Sequence, residues 1–181
     1  MTACHCVVND IKAILPKESF HLLFGSINLK KLSGNEALRE VSEILIHPDY
    51  AFDKILKQDI ALMLIKGNLQ FSPSIRTICL FTSQVPVSSL LEQQATVLGF
   101  GSNESSREPS EFLNHGKMEI ISRQQCIESK LIFGLLPEES AFCAKAVNNM
   151  IACPGDSGVK KSNTRSNFYL HLTKKFHFQV V

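Results

Sequence analysis

Short apolar runs separated by turn residues recur along the chain. They cover residues 20–24, 41–46, 60–65, 95–100 and 116–121 and are rich in β-branched and aromatic types. Runs this short predict strands, and their regular spacing predicts an all-β sandwich or barrel. Turn signals fall between them: His47-Pro48-Asp49-Tyr50, Phe71-Ser72-Pro73-Ser74 and a polar stretch over 101–110 that ends around Pro109. Helical patterning is scarce. The segment 122–131 predicts one short helix, with Ser122 as its cap and Gln125 in the capping-box position three residues on. No internal repeat interrupts this pattern.

Composition narrows the class. With 181 residues, 44% hydrophobic and 20% charged, the chain reads as one ordinary globular domain. A net charge of +2 from 19 basic and 17 acidic residues is too even for a nucleic-acid groove or a polybasic membrane anchor. No window approaches the roughly 18 consecutive apolar residues of a membrane span, and the first residues, Met1-Thr2-Ala3-Cys4-His5-Cys6, do not form a secretory signal. No nucleic-acid or membrane partner is therefore expected. Six cysteines are many for a reduced cytosolic protein without a metal motif, which favours an oxidising compartment, although spacing alone does not fix their pairing. Beyond Ser157 the composition shifts: Lys160, Lys161, Arg165, Lys174 and Lys175 follow with no acidic residue. In this tail Phe168, Leu170 and Leu172 alternate with Tyr169, His171 and Thr173, the pattern of a strand.

The chemistry-bearing residues are few. In Gly155-Asp156-Ser157-Gly158 two glycines flank a serine, so the backbone can turn sharply and present the hydroxyl beside its neighbouring N–H groups. A serine hydroxyl becomes a useful nucleophile once a base takes its proton and donors stabilise the resulting oxyanion. Alone, such a string also suits a plain surface turn. Asp59 precedes an apolar run and, by itself, suits a strand-edge carboxylate. Cys4-His5-Cys6 lacks the usual Cys-x₂₋₄-Cys spacing of a zinc site and no second ligand pair follows it, so no metal is expected. His21, His115, His171 and His177 suit surface or packing positions.

Taken together, Thr2-Ala3-Cys4-His5-Cys6, Gln58-Asp59-Ile60-Ala61-Leu62 and Gly155-Asp156-Ser157-Gly158 resemble the three triad motifs of the chymotrypsin-like serine proteases, in that family's order. The intervals, 59 − 5 = 54 and 157 − 59 = 98 residues, are similar to the family's. Ile46-His47-Pro48-Asp49-Tyr50, Ile78-Cys79-Leu80 and Ala95-Thr96-Val97-Leu98-Gly99-Phe100-Gly101 resemble further family segments. The resemblance implies an all-β, chymotrypsin-like double Greek-key barrel and a serine endopeptidase. His5 would be general base then acid, Asp59 its orienting partner, Ser157 the nucleophile, and the N–H groups of Gly155 and Ser157 the oxyanion hole. It further implies a Cys126–Cys143 disulfide, and a specificity pocket set by Ile151, which argues against an acidic pocket floor. No cofactor, a protein or peptide substrate, an extracellular setting and a monomer follow from the same resemblance.

Departures from the family shape the expectation. The resemblance covers residues 1–158, a partial protease domain, and leaves 159–181 as a divergent basic tail. The first strands, the activation site and the partner of Cys6 are expected to be missing, as are the later pocket wall, the partner of Cys153 and the C-terminal helix. The fold is thus expected to be truncated at both ends. Asp156 would lack the terminal amine that orders the oxyanion hole, and an uncompensated buried charge costs about 3–5 kcal/mol. Pro154 is a further departure. Cys4 stands where the family usually has alanine and reads as a small buried hydrophobe. A rival expectation is a catalytically inactive protease-like fragment or binding module.

Overall fold

A computed structural model describes residues 1–9, 11–51, 58–77, 87–101, 108–135 and 142–147. Gly155, Ser157, Ile151, Cys79, Cys153 and the basic tail lie outside the described residues.

Two three-stranded antiparallel sheets carry the fold. In the first, β1 (His21–Phe24), β2 (Ala37–Ile46) and β3 (Ala61–Ile65) pair in chain order. In the second, β4 (Gln94–Gly99), β5 (Asn114–Ile121) and β6 (Cys143–Ala146) do the same. The five apolar runs of the sequence all fall in strands, and the all-β class is the one observed. Among the described residues the sheets do not close into a complete barrel.

β2 shows how the hydrophobic pattern builds a sheet. Val41 is buried, and Ile44 and Ile46 also turn toward the core, although an odd and an even position cannot share one face of a regular strand. The register resolves this. Val41 pairs with Ile65 but Glu43 pairs with Leu64, so an irregularity between them absorbs one residue and shifts the pleat by one step. At the end of β1, Gly25 adopts a φ of +81°, and a Cβ there would lie 2.9 Å from Ile75 Cγ1, so a side chain would meet both backbone and packing strain.

The predicted helix is present but shorter than its pattern. α1 spans Arg123–Ser129. Ser122 accepts from the Gln125 N–H at 3.2 Å while the Gln125 side chain accepts from the Ser122 N–H at 3.0 Å, which is the reciprocal capping box. At its end the Lys130 N–H still reaches the Cys126 carbonyl, at 3.3 Å. The Ser129 hydroxyl donates to the Cys126 carbonyl at 2.6 Å, Lys130 turns extended, and the chain continues as a 3₁₀ turn over Leu131–Leu135.

The core is divided. Beside the first sheet, Cys4, Val7 and Ala61 are buried with Phe20, Ile44, Ile46, Tyr50 and Met63 around them. Beside the second, Met118 and Ala144 form one cluster, and Ile121, Cys126 and Cys143 form another against Phe133. A backbone strap joins the two halves. The Leu29 N–H donates to the Glu111 carbonyl at 2.9 Å and the Leu113 N–H to the Ile27 carbonyl at 3.0 Å, with Lys30 and Glu111 3.6 Å apart beside them.

Candidate active site

The site begins in a single 3₁₀ turn, Cys4–Cys6, which carries no periodic signal in the sequence. In such a turn side chains three apart lie one above the other. Cys4 and Val7 therefore point together into the core, where both are fully buried, while His5 is left at the rim. Backbone bonds from Cys6 to Ala3 (3.2 Å) and from Val7 to Cys4 (2.9 Å) hold the turn.

Asp59 approaches from the residue before β3. It is 5% exposed, so an ionised carboxylate there requires strong partners. His5 supplies both. Its backbone N–H donates to Oδ1 at 2.9 Å, and its Nδ1 lies 2.6 Å from Oδ2. One residue thus satisfies both carboxylate oxygens, and with Nδ1 engaged, Nε2 is the ring nitrogen left for proton exchange.

Around this pair the backbone is clamped. Thr2 and Ala61 exchange two hydrogen bonds, of 2.9 and 2.8 Å. The Ile60 carbonyl accepts from the His47 N–H at 3.1 Å and from the Cys4 thiol at 2.8 Å. Cys4 is therefore buried, as its sequence position suggested, but it is also a donor that ties the histidine's turn to the aspartate's segment. Burial is the largest influence on that thiol and pushes its pKa up, which keeps the donor proton in place.

The Asp59 hydrogen bond, and after it a hydrogen bond with the Cys6 side chain, pushes the His5 pKa from 6.5 up to about 10, against the opposing effect of burial. A group whose folded pKa is raised adds stability that is complete below its unfolded value and is lost as pH rises through its folded value. The pair is therefore expected to stabilise the fold fully below about pH 6.5 and to lose that contribution on the way to about pH 10. Urea unfolding midpoints across this range check it. Asp59→Ala should flatten the decline, and an equal decline in the variant would remove the pair as its source.

Of the residues singled out in the sequence, the structure brings His5 to Asp59 and joins Cys126 to Cys143 by a disulfide. Cys4 and Cys6 are free thiols. Ser157, Gly155 and Ile151 lie outside the described residues. Among the described residues, no three His, Cys, Asp or Glu side chains converge on a point that would hold a metal ion. No described helix is long and apolar enough to cross a membrane. The sequence reading missed the unusual backbone of Gln58, whose φ is +49° and whose type gives no hint of it.

Comparison with known proteins adds an independent line. The family model described as Trypsin matches residues 1–159. The chain is 30% identical over 158 residues to serine protease SP24D of Anopheles gambiae, covering 87% of this chain and 52% of that protein. It is 28% identical over 162 residues to ovochymase of Halocynthia roretzi, covering 87% and 10% respectively. With transmembrane protease serine 11C of Mus musculus it shares 30% identity over 161 residues, covering 87% and 34%. The chain thus spans about half or less of the length of these relatives.

Proposed function

The chain belongs to the trypsin family of serine proteases, and from that premise we propose that it is a serine endopeptidase whose triad is His5, Asp59 and Ser157. The observation that carries this reading is the double contact of Asp59 with His5, through the backbone N–H at 2.9 Å and Nδ1 at 2.6 Å. A carboxylate so placed fixes the ring plane and stabilises the imidazolium that forms during reaction. Residues 1–158 would constitute a partial protease domain and 159–181 a divergent basic tail.

In this proposal Nε2 of His5 takes the proton of the Ser157 hydroxyl as Oγ attacks the scissile carbonyl. The N–H groups of Gly155 and Ser157 receive the oxyanion. His5 then gives its proton to the leaving amine, so the peptide bond breaks and an acyl-enzyme remains. Water, deprotonated by His5, attacks the ester and releases the acid, returning the proton to Ser157. Neither a metal nor a cofactor enters this cycle. The substrate class is protein or peptide, Ile151 favours an apolar or small side chain in the pocket, and the family setting is extracellular.

A fluorophosphonate probe tests the proposal, because it phosphonylates a serine only when base and oxyanion donors act together. Labelling of Ser157 in the native chain, with none in Ser157→Ala, is the result the proposal requires, and it would show that the oxyanion hole forms without the terminal amine. Since the base must be unprotonated, the rate should climb as pH rises through the His5 value. Folded protein that stays unlabelled across that range would overturn the proposal in favour of its rival, a catalytically inactive protease-like fragment or binding module.

A further inference from the structure

Beyond the triad itself, the segment that delivers Asp59 contains an unexplained feature. Gln58 lies in the left-handed region at φ +49°, a conformation that side chains with a Cβ disfavour. Among the described residues two others that are not glycine share it, Lys12 and Glu92, and both sit in exposed turns. Gln58 is half-buried and adjoins the site. A costly backbone conformation persists where its surroundings over-determine it, and such positions gather at functional sites.

The surroundings can be named. Just downstream of Asp59 the backbone is tied on both sides: Ala61 is held by Thr2 through two hydrogen bonds, and the Ile60 carbonyl is held by His47 and Cys4. The Ile60 N–H donates back to the Gln58 carbonyl at 2.7 Å, closing a turn of three residues with Asp59 at its apex. A strand continued straight through Asp59 would send its side chain to one face of the sheet. The turn instead carries the carboxylate sideways, where one histidine meets both of its oxygens.

We infer that Gln58 is a positioning residue for the His5–Asp59 pair, and that its left-handed backbone, rather than its amide, aims the carboxylate at His5. Among the described residues no hydrogen bond partner takes the Gln58 side chain, which leaves the backbone as the operative part. The inference rests on the protease reading only for its catalytic consequence. The geometry of the pair can be measured without turnover.

Three substitutions in the full chain separate backbone from side chain. Gln58→Gly removes the amide and favours positive φ, Gln58→Asn tolerates it, and the β-branched Gln58→Val opposes it. The readouts are the pH titration of the His5 ring by NMR, the urea midpoint and the rate of Ser157 labelling. In the glycine and asparagine variants His5 should titrate as in the native chain, with labelling within about twofold. In the valine variant the His5 titration should fall toward 6.5 and labelling should drop by about 10²-fold, the scale of a misplacement near 1 Å. A glycine variant whose His5 titrates near 6.5 would overturn the inference, because the side chain would then be what matters. So would a folded valine variant that titrates like the native chain. If the valine chain does not fold, the glycine and asparagine titrations decide alone. If no form of the chain labels, the protease reading falls while the His5 titrations still decide the role of Gln58.

Discussion

Asp59→Asn is expected to lower kcat/KM for a peptide substrate by about 10⁴-fold while leaving the fold in place, the magnitude general to such triads. The amide oxygen can still accept the His5 backbone N–H, so the 2.9 Å contact survives. The other half of the side chain becomes an NH₂ group facing Nδ1, where a carboxylate oxygen now lies at 2.6 Å. A donor in that place requires Nδ1 to accept, which moves the ring proton to Nε2, the nitrogen that takes the serine's proton in the proposed reaction. The largest influence raising the His5 pKa disappears with the carboxylate. Two measurements check this together: steady-state kinetics on a peptide ester, and the His5 titration, which should fall toward 6.5. A loss smaller than about tenfold, with the titration lowered as expected, would mean that Asp59 holds the ring without serving the reaction.

The second large effect concerns stability. Replacing Cys126 and Cys143 together by alanine should cost on the order of 3 kcal/mol, the chain-entropy value for a loop of about this length. The bridge spans a separation of 17 residues and closes the connection that carries α1 and the Leu131–Leu135 turn back to β6. Its sulfurs also pack: Cys126 is fully buried, Cys143 is 9% exposed, and Ile121 and Phe133 lie against them. For a chain of this size the loss corresponds to a fall of about 6–12 °C in Tm. Thermal melts followed by circular dichroism, with and without a reductant, measure it. The native chain in reductant should approach the double variant, and coincident melts of all forms would show that the bridge adds nothing.

Much of this architecture was legible because it depends on short-range pattern. The strands announced themselves as β-branched runs, and the helix as Ser122 followed by Gln125, because pleat and capping box are both properties of a few adjacent residues. Elsewhere the deciding contact is distant. β2 begins at Ala37 rather than at the dense run from 41 because Leu38, Arg39 and Glu40 pair with β1, which no local pattern reveals. β6 is four residues long and gains its place by pairing with Ile120 and Ile121, not by alternation of its own. The His5–Asp59 partnership followed from resemblance, yet the means of aiming it did not. A glutamine gives no sign of positive φ, and a buried cysteine reads as a small hydrophobe until its acceptor, the Ile60 carbonyl, is seen.

The divided core has a mechanical implication. His5, Asp59, Gln58, Thr2 and Ala61 all belong to the half built on the first sheet, and the clusters beside the second sheet share no residue with it. Among the described residues, the strap from Ile27 to Leu29 against Glu111 to Leu113 ties the halves together. Slippage along that seam would leave the His5–Asp59 contact whole and carry it as a preassembled cartridge against the second sheet.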